Sequence, residues 1–199
     1  GAYGAPYATT PFIDKAAQRG ALVERAYTVF PHTSKALIGI HCGVHPRPTP
    51  GNSEAAPNGM PVQCLPRLLR DQGFSTAFFQ TAEENYERRS SLAQEFGFEG
   101  FTGKESLNGD GFEESNYFGW EDDTMLEPIL KWVDAQTGRF YLSVLTLTAH
   151  HPYAVPKGFP KQDYVSKRSL NDYLNTIRYS DRFVQRLYEA FQARGLADD

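Results

Sequence analysis

Two short apolar runs, Ser75-Thr76-Ala77-Phe78-Phe79-Gln80 and the stretch from Arg139 to Thr148, are separated and flanked by segments of helical period. Runs of that length, apolar on both sides, fit strands buried on both faces. Strands that alternate with helices point to an α/β layer architecture with a mainly parallel sheet. The longer run, Arg139 to Thr148, is expected at the centre of that sheet. A further short strand is expected over Ala21 to Thr28. Helices are expected from Thr10-Pro11 to Gly20, with Thr10 as the cap, and from Thr33 to His41, stopped by Gly43. Others are expected around Cys64 to Gln72, with Leu65, Leu68 and Leu69 on one face, and over Glu83 to Glu95, Asp122 to Ala135 and Ser169 to Arg194. In open sheets of this class, sites form at the carboxyl ends of strands. Three features fall there: the turn before Thr33, the segment after Phe79, and His150-His151.

A length of 199 residues allows one domain with a real core. Aromatic residues make up 14% of the chain, with 14 Phe and 11 Tyr, which argues against disorder. A net charge of −4 and no stripe of Lys and Arg argue against nucleic acid as a partner. No stretch reaches the roughly 20 apolar residues of a spanning helix. The opening Gly1-Ala2-Tyr3-Gly4-Ala5-Pro6 lacks the charged start and apolar stretch of a signal peptide, although an anchor upstream stays open. The two cysteines, Cys42 and Cys64, are too few for a zinc site. They flank a loop rich in Pro, Gly and Asn, from Pro46 to Pro61. A disulfide there would stabilise by roughly 3 kcal/mol and imply an oxidising compartment; two separate buried thiols are the other reading.

The most informative stretch is Phe30-Pro31-His32-Thr33-Ser34-Lys35-Ala36-Leu37. Free N–H groups and the helix dipole at such a helix start suit phosphate or sulfate. A hydroxyl there is a weak nucleophile until a metal or base helps remove its proton. On spacing alone, Thr33 and Ser34 are also explained as ordinary helix caps.

Thr10-Pro11-Phe12-Ile13-Asp14-Lys15-Ala16-Ala17-Gln18-Arg19-Gly20 resembles the opening motif of sulfatases and lipoteichoic acid synthase-like enzymes of the alkaline phosphatase superfamily. Thr33 precedes Gly43 by ten residues, the spacing between nucleophile and Gly in sulfatases. Thr33-Ser34 is similar to the Thr-Ser at the nucleophile of the synthases. The Cys-x-Pro-Ser-Arg pattern of formylglycine sulfatases is absent from Thr33-Ser34-Lys35-Ala36-Leu37. The resemblance therefore implies a metal-activated Thr33 that forms a phosphothreonine, with Thr33 also a metal ligand.

The same resemblance gives Tyr86 and Arg88, in Asn85-Tyr86-Glu87-Arg88-Arg89, the role of holding the substrate phosphate. A solvated helix face with Glu84 paired to Arg88 is the plain alternative. Gln80, at a strand end, is a candidate for the polar wall of the pocket, or a structural amide. Ala149-His150-His151-Pro152-Tyr153 resembles the synthases' His-x-Pro-Tyr motif and places His150 in substrate binding, with His151 its variable neighbour. His32, His41 and His45 carry no functional assignment. Trp120 and Asp122-Asp123 read as packing and a helix cap, and Asp181 as a residue that orients a helix.

By this resemblance the fold is alkaline phosphatase-like and residues 1–199 form a single, partial catalytic domain. The first metal-ligand strand and the Asp-His-Gly segment of the family are not in it. The implied cofactor is a divalent metal (Mn, Mg, Zn or Ca), to which this chain contributes Thr33 alone; by itself it is expected to bind metal weakly and to be inactive. The implied activity is phospho-group transfer or hydrolysis on a phosphorylated or sulfated small molecule or lipid head group. The implied place is the periplasmic or extracellular face of a membrane. A sulfatase-like ester hydrolase and a non-catalytic anion-binding fragment are the alternatives. An uncovered sheet edge would favour a homodimer.

Overall fold

The computed structural model describes residues 3–49 and 51–197. Readings that touch Gly1, Ala2, Pro50, Asp198 and Asp199 lie outside the described residues. In chain order the elements begin with α1 (Pro11–Ala17), α2 (Thr33–Cys42), α3 (Leu65–Asp71), β1 (Ser75–Gln80), α4 (Arg89–Phe96) and β2 (Gly100–Thr102). They continue with β3 (Glu114–Asn116), β4 (Gly119–Trp120), α5 (Leu126–Asp134), β5 (Phe140–Leu145) and α6 (Arg168–Gln192). The chain divides into a sheet unit, Ala26–Leu107 with Lys131–Leu145, and a helical unit, Gly1–Arg25 with Asn108–Leu130 and Thr146–Asp199.

In the sheet unit three parallel strands lie in the order β2-β1-β5, the mixed α/β class expected of the alternating pattern. Phe78 of β1 packs with Leu37 and Ile38 of α2, Leu92, Ala93 and Phe96 of α4, and Phe98. His41 is buried among the rings of Phe78, Phe96, Phe98 and Tyr141. Its nitrogens face Tyr141 Oη and Ser143 Oγ, and burial lowers its pKa to about 4. Cys42, the last residue of α2, is joined to Cys64, the residue before α3, by a disulfide. Gly43 ends α2 in the left-handed conformation, φ 67°, as a C-terminal glycine should.

Four sequence expectations are corrected here. The Arg139–Thr148 run yields β5, an edge strand rather than the central one, because β1 carries both neighbours. An apolar run reports burial of strand faces, not pairing on both edges. Ala21–Thr28 forms no strand; every residue of it is exposed, and none of the described strands pairs with it. The Glu83–Glu95 helix starts only at Arg89, because Glu87 and Arg88 adopt left-handed backbone, φ 54° and 57°. On α3, Leu65 and Leu68 are exposed, so the face they share is not a buried one.

The helical unit is organised by α6. Tyr179 and Phe183 of α6 are fully buried, with Met125, Ile129 and Phe159 also in the interior. Phe159 lies edge-on to Tyr179 at 5.3 Å. Asp181 accepts hydrogen bonds from the N–H groups of Phe12 and Ile13, both at 2.9 Å. It therefore caps α1 from across the fold, and Thr10, expected as that cap, instead donates its hydroxyl to Asp14. Any side-chain oxygen in reach satisfies orphan N–H groups, whatever its distance in sequence.

Candidate functional site

Thr33 opens α2, the first residue after an extended His32. The first helical bond runs from Ala36 N to His32 O, so the N–H groups of Thr33, Ser34 and Lys35 have no helical acceptor. No side chain caps them. Thr33 itself is exposed, and its hydroxyl has no hydrogen-bond partner among the described residues. A capping role for Thr33 is thus not the one it performs. Together these features leave a positive helix end open to an anion, with an exposed threonine hydroxyl beside it.

The two residues that follow are turned inward. Ser34 donates its hydroxyl to Glu87 Oε2 at 2.6 Å and accepts from Arg89 Nε at 3.0 Å. Arg89 Nη2 reaches Glu87 at 2.9 Å and Nη1 reaches Gln80 Oε1 at 3.4 Å. Burial works against the Arg89 charge, and Glu87 offsets it. His32 Nε2 lies 2.7 Å from the other oxygen of Glu87. Lys35 is buried with Glu54 at 2.9 Å. Burial opposes ionisation of Glu54, but hydrogen bonds from Lys35 and Arg47 N hold its carboxyl down at about 2. His32, Lys35, Asn52, Glu87 and Arg88 line a cavity of about 510 Å³.

Thr33, Gln80, Tyr86 and Arg88 all belong to the sheet unit. Gln80 is buried at the end of β1, its amide tied to Ala82 O and Glu83 O and its oxygen to Arg89. Tyr86 is half-buried in the turn before α4. Arg88 does not pair with Glu84; its guanidinium donates to Asn52 O and Ala55 O. Those bonds, with Asn52 Nδ2 on Glu87 O at 2.7 Å, hold two residues in left-handed backbone that costs each of them roughly 1–2 kcal/mol. The guanidinium that reaches the start of α2 is that of Arg89, which sequence reasoning passed over. A signal for it exists: Arg89, Leu92, Ala93 and Phe96 follow the i, i+3, i+4, i+7 spacing of one helix face, and all four are buried.

His150 belongs to the helical unit and is exposed. Its Nδ1 sits 2.9 Å from His151 O, and Phe118 meets its ring edge-on at 4.9 Å. Asp122, expected as a helix cap, is instead wholly buried and accepts from Leu147 N, Thr148 N and Ser180 Oγ. Burial pushes its carboxyl up to about 6 against those bonds. Glu121 accepts from Tyr179 Oη at 2.7 Å, and Asp123 from Arg182 and Arg186.

Thr33 is the one metal ligand expected of this chain. Among the described residues no group of three or more His, Cys, Asp or Glu converges to hold an ion. No described helix is long and apolar enough to cross a membrane.

Comparison with known proteins extends the geometry. Phosphoglycerol transferase I of Xanthomonas campestris pv. campestris is 26% identical over 167 residues, 78% of this chain and 24% of that protein. Phosphoglycerol transferase I of Salmonella choleraesuis is 26% identical over 175 residues, 76% and 23% of the two. The chain thus spans about a quarter of the length of these relatives. Among solved structures, lipoteichoic acid synthase LtaP of Listeria monocytogenes superposes with a TM-score of 0.78 at 19% identity, covering 96% of this chain and 48% of that one. The C-terminal periplasmic domain of EcEptC from Escherichia coli, in complex with Zn, gives 0.70 at 18%, covering 97% and 55%. These likenesses share the mixed α/β architecture described above, and the Sulfatase family model matches residues 1–199 throughout. A parallel sheet flanked by helices and a full-length family match lead to one assignment: this chain belongs to the sulfatase family.

Proposed function

We propose that the chain is the part of a phosphoglycerol transferase-type enzyme that carries the nucleophile, Thr33. The observation that carries the reading is the start of α2. An exposed, unbonded threonine hydroxyl stands there beside free N–H groups, and the buried guanidinium of Arg89 is held against the next side chain. Family membership makes hydrolase or transferase chemistry the activity of the class, and the relatives named phosphoglycerol transferase I favour transfer.

In this proposal the phosphoryl oxygens bind at the N–H groups of α2, where the dipole favours negative charge. The Thr33 oxygen forms a bond to phosphorus as the bond to the leaving alcohol oxygen breaks; the Thr33 proton ends on that oxygen, and the phosphothreonine formed still carries the glycerol. An acceptor hydroxyl then forms its own bond to phosphorus as the bond to Thr33 breaks, its proton returning to the Thr33 oxygen. Arg89 orients Ser34 and the carboxylate of Glu87 through its fork of donors. His150 stays in the proposal as a substrate-binding residue, as do Gln80, Tyr86 and Arg88, the last three in the wall around Arg89 and the cavity rather than in direct charge pairing. A divalent cation is retained as a requirement of the whole enzyme, and Thr33 is the one ligand proposed for it among the described residues. The proposed location is the periplasmic or extracellular face of a membrane.

A neutral polyol head group suits the cavity better than one bearing an ammonium. Glu87 is already satisfied by Arg89, His32 and Ser34, and Glu54 by Lys35, so neither carboxylate is open to a new cation. The test is an assay of the full-length protein against nitrophenyl phosphate, nitrophenyl sulfate and a phospholipid with a labelled phosphoglycerol head group. Turnover of the phospholipid is expected, and Thr33→Ala should abolish it while leaving the thermal midpoint unchanged, because that hydroxyl makes no internal bond. Activity retained in Thr33→Ala moves the nucleophile elsewhere. Preference for the nitrophenyl sulfate makes the protein a sulfate-ester hydrolase instead.

A further inference from the structure

Asp122 has no exposed surface, and one of its oxygens does the work of two acceptors. Oδ1 takes the N–H of Leu147 at 2.6 Å and of Thr148 at 3.1 Å. Asp122 N donates in return to Thr148 Oγ1 at 2.9 Å, and Oδ2 takes the hydroxyl of Ser180 on α6 at 3.2 Å. Thr148 is itself wholly buried, so no solvent replaces these partners. The chain then turns at once: His150 N donates to Leu147 O at 2.8 Å, and Tyr153 N to His150 O at 3.0 Å. His150 is therefore carried on a turn whose first residue is clamped by a single buried carboxylate. Its ring is oriented by Phe118 and by the carbonyl of His151 at Nδ1, and Nε2 has no partner among the described residues.

We propose that Asp122 is a positioning residue, which fixes Leu147 and Thr148 so that the His150 imidazole is presented with Nε2 free for a ligand. The inference rests on the reading of His150 as a substrate-binding residue. An apolar residue in place of Asp122 would pack as well but would orphan the buried N–H of Thr148 and the half-buried N–H of Leu147 at the base of the turn. Asparagine keeps an acceptor oxygen in the same place and can still bond Ser180, so it should serve nearly as well.

The experiment is a double-mutant cycle in the full-length protein, with turnover of the phosphoglycerol lipid as the readout. Asp122→Ala is expected to lower kcat/KM about 100-fold, and Asp122→Asn to stay within about threefold of the parent. In a His150→Ala background, Asp122→Ala should add less than about threefold, since the residue it positions is gone. A multiplicative loss in the double variant overturns the proposal, as does an Asp122→Asn as damaged as Asp122→Ala. Should Asp122→Ala fail to fold, Thr148→Ala takes its place in the cycle, with a smaller loss of about tenfold that must likewise vanish without His150. Thr33→Ala run alongside separates the two claims. Activity in that variant sinks the functional reading, whereas an inactive Thr33→Ala with an additive cycle sinks only the role of Asp122.

Discussion

The residues around the start of α2 are notable for burying charge in pairs. Lys35 and Glu54 are each almost fully buried, and their pairing is completed by Arg47 N and Ser53 Oγ. Removing one member of such a pair leaves an uncompensated charge and costs about 3–5 kcal/mol, whereas replacing both by apolar groups is close to neutral. Lys35→Met should therefore lower unfolding free energy by that amount in urea titrations, and Lys35→Met with Glu54→Leu should recover most of it. Three groups with large shifts contribute to the dependence on pH. Glu54 titrates at about 2 when folded and about 4.5 when unfolded, and His41 at about 4 against 6.5. In both windows the unfolded chain binds more protons, so stability is present above the unfolded values and is lost as pH falls, first from 6.5 to 4 and then from 4.5 to 2. Asp122, at about 6 when folded against 3.8, has the opposite sign and gains stability as pH falls between those values. Asp122→Asn should thus lose urea stability more steeply than the parent between pH 6 and pH 4. A slope equal to the parent's would contradict the assignment.

At the scale of elements, α2 is held at both ends by different means. Its carboxyl end is tied by the Cys42–Cys64 disulfide, which closes a separation of 22 residues. Loop-closure entropy makes that crosslink worth about 3 kcal/mol. Cys42→Ser with Cys64→Ser, or reduction of the parent, should lower the urea midpoint accordingly, and an unchanged midpoint would show that the loop is ordered without it. The amino end of α2 is held by Ser34, Glu87 and Arg89. How much of this the sequence discloses differs by element. Helices α2, α5 and α6 were legible because apolar spacing and end signals agree, with Gly43 closing α2. The pairing partners of strands were not, since β5 reads the same whether it has one neighbour or two. Thr33 was singled out through the family resemblance that its spacing to Gly43 carries, but the buried bonds of Arg89 and Asp122 were not foreseen. Arg89 was masked by the more obvious Arg88, whose guanidinium turns to carbonyls because two left-handed residues redirect it. Asp122 was masked because a carboxylate before a helix ordinarily means a cap, and its actual partners lie 25 residues and more away in sequence.

At the scale of the molecule, the residues of the proposal belong to two units: Thr33, the start of α2 and the paired charges to the sheet unit, His150 and Asp122 to the helical unit. A run of consecutive acids, Glu121-Asp122-Asp123, ties the helical unit together, each reaching a different residue or pair on α6. The central claim remains that the Thr33 oxygen is where phosphorus is attacked. Its most direct test is a rapid acid quench of the full-length protein turning over a phosphoglycerol lipid, followed by peptide mapping of the product by mass spectrometry. The account predicts a phosphorylated or glycerophosphorylated peptide containing Thr33, with the adduct on that oxygen. An adduct on another residue, or steady turnover with no adduct at Thr33, would contradict it.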